Sequence, residues 1–322
     1  MTGVSLVRNG SIEGALQQKT LKNPIHCSGV GLHSGVKVRM TLLPAPIDSG
    51  IVFRRGDLPG QPEIPADWQS AVETPMCASI AGPGGATVRT VEHLMSALAG
   101  CGIDNAVIDL DGPEVPAMDG SAAPFVFLIE CAGSAPQDAA RRCIEIRREV
   151  TLSDPERSIT LKPGRGLSIG FEIDFASPAI ARQQWDVQIT PASYKRDVAR
   201  ARTFGFLHDV DRLREAGLAQ GGSLDNAVVI DGEQVLNEGG LRYDDEFVRH
   251  KVLDLVGDLY LAGGPLQAQV SGVCAGHAMT LRLLRTLFAN TEAWIRREMT
   301  EDDLEPLQGA IVPPARAVAA WA

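Results

Sequence analysis

Apolar and polar positions alternate along 37–44 ("KVRMTLLP") and 51–55 ("IVFRR"), which predicts two strands, with Pro, Gly and Asp filling the segment between 56 and 67. The period then lengthens. "TVEHLMSALAGCG" (90–102) carries its apolar residues at helical spacing and stops at Gly100 and Gly102. "NAVIDLDG" (105–112) reads as a strand and "DGSAAPFVFLIECAG" (119–133) as a second helix. "GSAPQDAARR" (133–142) is small and polar, and predicts a linker. Beyond it the order returns: strand patterns at 143–152, 157–163 and 167–175, a helix at 192–203, a longer one at 244–262, a strand at 266–275 and a last helix at 278–298.

Overlaying 91–112 on 248–272 places a His near each helix start, an Ala-Gly near each helix end and a Gly after each following strand. The expectation is an α+β protein of two similar domains, 1–137 and 138–322. Each would be a β-α sandwich, with the two helices facing each other.

The helix "FVRHKVLDLVGDLYLAG" (247–263) has a polar seam in an apolar body. His250, Asp254 and Asp258 recur every four residues and share one face. His250 and Asp254 can reach one ion, and an apolar setting makes a buried Asp ask for a positive partner. An ordinary hydrogen-bonded surface pair is the other reading of the same spacing. In "TVEHL", adjacent residues diverge by about 100°, so His93 could ligate while Glu92 faces the attacking water as general base. The plainer reading is a Glu at a helix start beside a half-buried His. His277, in the Gly-rich turn of "SGVCAGHAMTL", could protonate a leaving amine. Thr203, in "ARTFGF", could donate to an oxyanion beside Phe204 and Phe206.

Composition narrows the partners. Thirty basic against forty acidic residues in a chain of 322 give a net charge of −10, which argues against nucleic acid and anionic membranes and for a small molecule. No apolar run is long enough for a membrane span, and the N-terminus lacks a secretory pattern, so a cytoplasmic protein is expected. The six cysteines include no C-x-x-C. "GVGLHSG" (29–35) is spaced G-x-G-x-x-x-G and leads into a strand pattern, which excludes the dinucleotide fingerprint.

"RTVEHLMSALAG", "DNAVIDLDGPEVPAMDGSAAPFV", "ARTFGF", "LRYDDEFVRHKVLDLVGDL" and "AGHA", in this order, closely resemble the UDP-3-O-acyl-N-acetylglucosamine deacetylases, which act in lipid A biosynthesis. The resemblance implies a monomeric zinc amidase, with Fe(II) as the alternative ion, holding its metal on His93, His250 and Asp254. It implies Glu92 as general base, His277 as general acid held charged by Asp258, and Thr203 as oxyanion support. Lys251 would contact the substrate. Phe204, Phe206 and the segment from Leu218 to Leu224 would wall an apolar passage for the 3-O-acyl chain, flanked by the loop at Met76 and Cys77. Pro75, Leu224 and Asn226 depart from residues common in the family, so acyl length does not carry over. Two rivals keep the same ligands: a metal hydrolase of another acylated substrate, and a binding protein with a structural ion.

Overall fold

The computed structural model describes residues 14–304. The first half runs β1 (Gln17–Leu21), β2 (Ile25–Val30), β3 (Lys37–Pro44), β4 (Ile51–Arg55), β5 (Glu63–Pro65), β6 (Ala71–Thr74), β7 (Cys77–Ala81) and β8 (Thr87–Arg89). Helix α1 (Glu92–Cys101), β9 (Ala106–Leu110), α2 (Ala123–Ala132) and β10 (Ser134–Ala140) follow. The second half runs β11 (Arg142–Ile146), β12 (Val150–Ser153), β13 (Ser158–Pro163), β14 (Leu167–Asp174), β15 (Arg182–Ile189), β16 (Phe204–Phe206), β17 (Val228–Asp231) and β18 (Gln234–Val235). It ends with α3 (Glu246–Tyr260), β19 (Leu266–Val273), α4 (His277–Ala289) and β20 (Trp294–Glu298); only helices of ten or more residues carry labels.

The two halves repeat one topology. The first sheet is ordered β2-β3-β9-β4-β5, with β9 antiparallel to β3 and parallel to β4. In the second, β19 is antiparallel to β13 and parallel to β14, with β12 and β15 outside them, which is the same order. The second sheet is then extended by β11 and β20 beside β19. In each half the long helix precedes the central strand: α1 leads to β9 and α3 to β19. This is the α+β pair of similar units that the overlaid helices predict.

The two helices pack on each other with little room between them. A Cβ on Gly257 would lie 2.0 Å from the carbonyl oxygen of Glu92, so only hydrogen fits where α3 crosses the start of α1. Glycine inside a helix costs about 1 kcal/mol relative to alanine, and that cost is offset by the close crossing. We expect Gly257→Ala to destabilise the fold by about 1–3 kcal/mol despite its better helix propensity. Urea unfolding checks this; a midpoint equal to wild type would show that the crossing tolerates a methyl group.

Four expectations need correction. Residues 133–142 are not a linker: β10 pairs antiparallel with β1, so a segment of small and polar residues is held by a backbone ladder. The helix expected over 278–298 stops at Ala289, and 294–298 forms β20 against β11, where strand pairing overrides a charged, helix-compatible run. The helix expected over 192–203 shrinks to a capped turn (Pro191–Ser193) and one wide turn (Tyr194–Val198). Residues 143–152 are two strands, β11 and β12, interrupted at 147–149. The Pro-rich tail from 306 lies outside the described residues.

Candidate active site

His93 enters from the first turn of α1, and His250 and Asp254 from consecutive turns of α3; all three are buried. Their ligand atoms lie within 4.8 Å of one another. Asp254 Oδ1 is 3.3 Å from His250 Nε2 and 3.5 Å from His93 Nε2. The His250 Nδ1 faces the carbonyl of Ala201 at 3.1 Å, an acceptor, so the proton belongs on Nδ1 and the Nε2 lone pair turns to the cluster. Burial, partly offset by Asp254, brings His250 down to about 4 and keeps it neutral near pH 7.

This donor set fits a divalent cation. Asp254 Oδ1 is buried with no hydrogen-bond partner among the described atoms, an arrangement that is costly unless a cation sits against it. Burial would raise the Asp254 carboxyl, yet His250 and Lys251 hold it well below the usual carboxylate range, so it is charged. Its other oxygen accepts from Lys251 Nζ at 2.6 Å. The lysine thus clasps Asp254 across an i, i+3 interval of the same helix.

Glu92 lies beside the cluster, 3 % exposed. Its Oε2 accepts the Ala78 N–H at 3.1 Å, and its Oε1 lies 3.8 Å from His277 Nε2. Burial raises its carboxyl well above the ordinary value, and His277 works against that rise. Across the cleft, both oxygens of Asp258 face His277 Nδ1, at 2.8 and 3.0 Å. Burial would push the imidazolium down, but Asp258, then Glu92 and Asp254, outweigh it and raise His277 to about 10. A histidine whose folded pKa is raised stabilises the fold fully below its unfolded value of about 6.5. That contribution fades as pH climbs through about 10.

The segment carrying Thr203 is anchored close by. Thr203 N–H donates to Gly120 O at 2.8 Å, two residues past the carbonyl that orients His250. The Phe204 ring stands edge-on to His250 at 6.2 Å and to Phe247 at 4.9 Å, and Phe206 lies 6.1 Å from Phe175. Leu218 is buried, while Leu224 and Met76 are exposed. The residue after Leu218, Ala219, directs its N–H to His33 Nδ1 at 3.4 Å. Cys77 is buried, and burial pushes its thiol up, but His33, Thr74 and Ser79 outweigh this and bring it to about 6.

Glu114 and His33 escaped the sequence reading. The fully buried Glu114 carboxylate accepts from the N–H groups of His33 (2.9 Å) and Ser34 (2.7 Å) and from the Thr90 hydroxyl (2.8 Å). Thr90 is held at φ 57, a costly region for a β-branched residue, two residues before the first residue of α1. Glu114 thereby pins the entry to the helix that delivers Glu92 and His93. Gly31 of "GVGLHSG" admits the carboxylate, since a Cβ there would meet Glu114 Oε2 at 2.4 Å.

Donors for a cation converge with groups able to take and give a proton, on facing helices of two like halves. Metal-dependent hydrolases are a class that uses such a combination. The family model described as LpxC, UDP-3-O-acyl N-acetylglycosamine deacetylase, matches residues 18–289. The UDP-3-O-acyl-N-acetylglucosamine deacetylase of Acidithiobacillus ferrooxidans is 54% identical over 281 residues, 87% of this chain and 92% of that protein. The enzyme of the same name from Xanthomonas campestris pv. campestris is 49% identical over 280 residues, 86% of this chain and 92% of that protein. The chain belongs to the LpxC family.

Proposed function

We propose that this chain hydrolyses the N-acetyl group of a UDP-3-O-[(R)-3-hydroxyacyl]-N-acetylglucosamine, releasing acetate and the free amine in lipid A biosynthesis. The observation that carries the reading is the convergence of His93, His250 and Asp254 beside a Glu92–His277–Asp258 array. His93, His250 and Asp254 would hold Zn(II) or Fe(II), which when bound would supply Lewis-acid polarisation of the amide carbonyl. Glu92 takes a proton from the attacking water; its raised proton affinity suits that task near neutral pH. The Thr203 hydroxyl donates to the oxyanion that develops. His277, charged and in line with Asp258, gives its proton to the departing amine. Lys251 holds Asp254 and presents the remaining face of its ammonium to the substrate. Phe204, Phe206, Leu218, Leu224, Met76 and Cys77 border the acyl chain. Cytoplasmic action is supported by six free cysteines, and no described helix is long and apolar enough to cross a membrane.

Two experiments test this reading. Acetate release from the 3-O-acylated UDP-sugar should exceed that from UDP-N-acetylglucosamine by at least about 10²-fold in kcat/KM, because the acyl chain contributes binding that the short sugar lacks. Equal rates would point to a hydrolase of another substrate. Asp258→Asn removes the carboxylate that raises His277 to about 10, so the alkaline limb of the kcat/KM profile should move down by roughly two pH units or more. An unmoved limb would take His277 out of the acid role.

A further inference from the structure

The loop between β2 and β3 is held from both sides. Toward the second half, Gln220 N–H donates to His33 O at 3.2 Å, Gly221 N–H to Leu32 O at 3.0 Å and Ala219 N–H to His33 Nδ1 at 3.4 Å. The fit is close: a Cβ on Gly221 would lie 2.2 Å from Gly31 O, and one on Gly35 would lie 3.0 Å from Gln220 Cβ. These partners belong to 218–224, the segment assigned above to the acyl passage. Toward α1, the same loop gives the buried Glu114 carboxylate two of its three donors, the N–H groups of His33 and Ser34, and the third is the Thr90 hydroxyl. The backbone beside Glu114 is laddered to the same place, with Arg89 N–H on Pro113 O and Val115 N–H on Arg89 O, both at 3.0 Å. A buried carboxylate with three donors moves with all of them, because a dropped donor would be left unsatisfied in the interior. Thr90 at φ 57 stays there only while it is held. Val91 N–H donates to Ala78 O at 3.2 Å and Ala78 N–H to Glu92 Oε2 at 3.1 Å, so the conformation at 90 sets where the Glu92 carboxylate stands.

We propose that Glu114 is a positioning residue that links the wall of the acyl passage to the general base. An acyl chain seated on 218–224 steadies 219–221, then the loop at 31–35, Glu114 and Thr90, and so holds Glu92 in its working place. This link rests on the substrate proposed above. Its signature is an acyl chain that raises kcat and not only binding, since binding energy from a remote part of a substrate is then used to orient the reacting groups.

The test is kcat and KM for acetate release, measured separately with the 3-O-acylated UDP-sugar and with UDP-N-acetylglucosamine. In the wild type the acylated substrate should have the higher kcat, by at least about tenfold. Glu114→Gln keeps the shape but not every acceptor: Oε1 serves His33 N–H and Thr90, Oε2 serves Ser34 N–H, and an amide nitrogen can accept from neither side. It should lower kcat for the acylated substrate at least about tenfold, leave KM within about twofold, and change kcat for the short sugar by less than about threefold. Thr90→Gly removes the hydroxyl link while glycine adopts φ 57 without strain, so it serves as the second variant should Glu114→Gln fail to fold, and it should give the same split. An equal loss on both substrates would make Glu114 a purely structural residue and overturn the proposal. So would a wild-type kcat that is the same for both substrates, or an acyl advantage in kcat that survives in both variants. A wild type that releases acetate from neither substrate would overturn the substrate assignment first, and this link with it.

Discussion

Glu92→Gln should lower kcat for acetate release by about 10²–10⁴-fold with KM nearly unchanged, the range that a positioned general base contributes. The amide is nearly isosteric with the carboxyl, and its oxygen can still accept the Ala78 N–H that holds Oε2 at 3.1 Å. What it loses is the capacity to take a proton. It also withdraws a negative charge that faces His277 Nε2 at 3.8 Å, so the alkaline limb should shift slightly downward at the same time. Steady-state kinetics on variant protein with wild-type metal content and circular dichroism read this directly. A loss of less than about tenfold would mean that another group accepts the proton.

Asp254→Ala should have the larger effect, on two quantities at once. With one of three ligands gone, metal carried through gel filtration should fall to a small fraction of an equivalent, and activity should drop by at least about 10³-fold. The substitution also strands Lys251, whose ammonium bonds Asp254 Oδ2 at 2.6 Å in a largely buried setting. Removing one partner of a buried pair costs roughly 3 kcal/mol, so metal-free variant should unfold in urea earlier than metal-free wild type. If the two metal-free proteins unfolded together, Lys251 would be solvated rather than dependent on Asp254.

Much of this arrangement could be read from spacing, and the reasons differ by residue. His250 and Asp254 were legible because a helix of period 3.6 turns an i, i+4 interval into one shared direction, and α3 is a regular helix across both. The repeat was legible because both halves set a His-bearing helix before the central strand, and the sheets share one strand order. Glu114 and His33 were not. They depend on which loop meets which helix across 24 to 81 residues, and no local period carries that. The β10 and β20 segments failed for a related reason: their polar alternation is explained by the strands they pair with, which lie over a hundred residues away. Gly257 was visible as a residue but not as a constraint, because its meaning comes from a carbonyl on the other half of the chain.

The central claim, that His93, His250 and Asp254 hold an ion on which deacetylation depends, is tested most directly by titrating purified wild-type protein with a chelator. Bound metal and acetate release from the 3-O-acylated UDP-sugar are followed in the same samples. The account predicts close to one equivalent of Zn(II) or Fe(II), activity falling in proportion to the metal removed, and recovery on adding either ion back. Protein that is stripped of metal, remains folded and still deacetylates at the wild-type rate would contradict it.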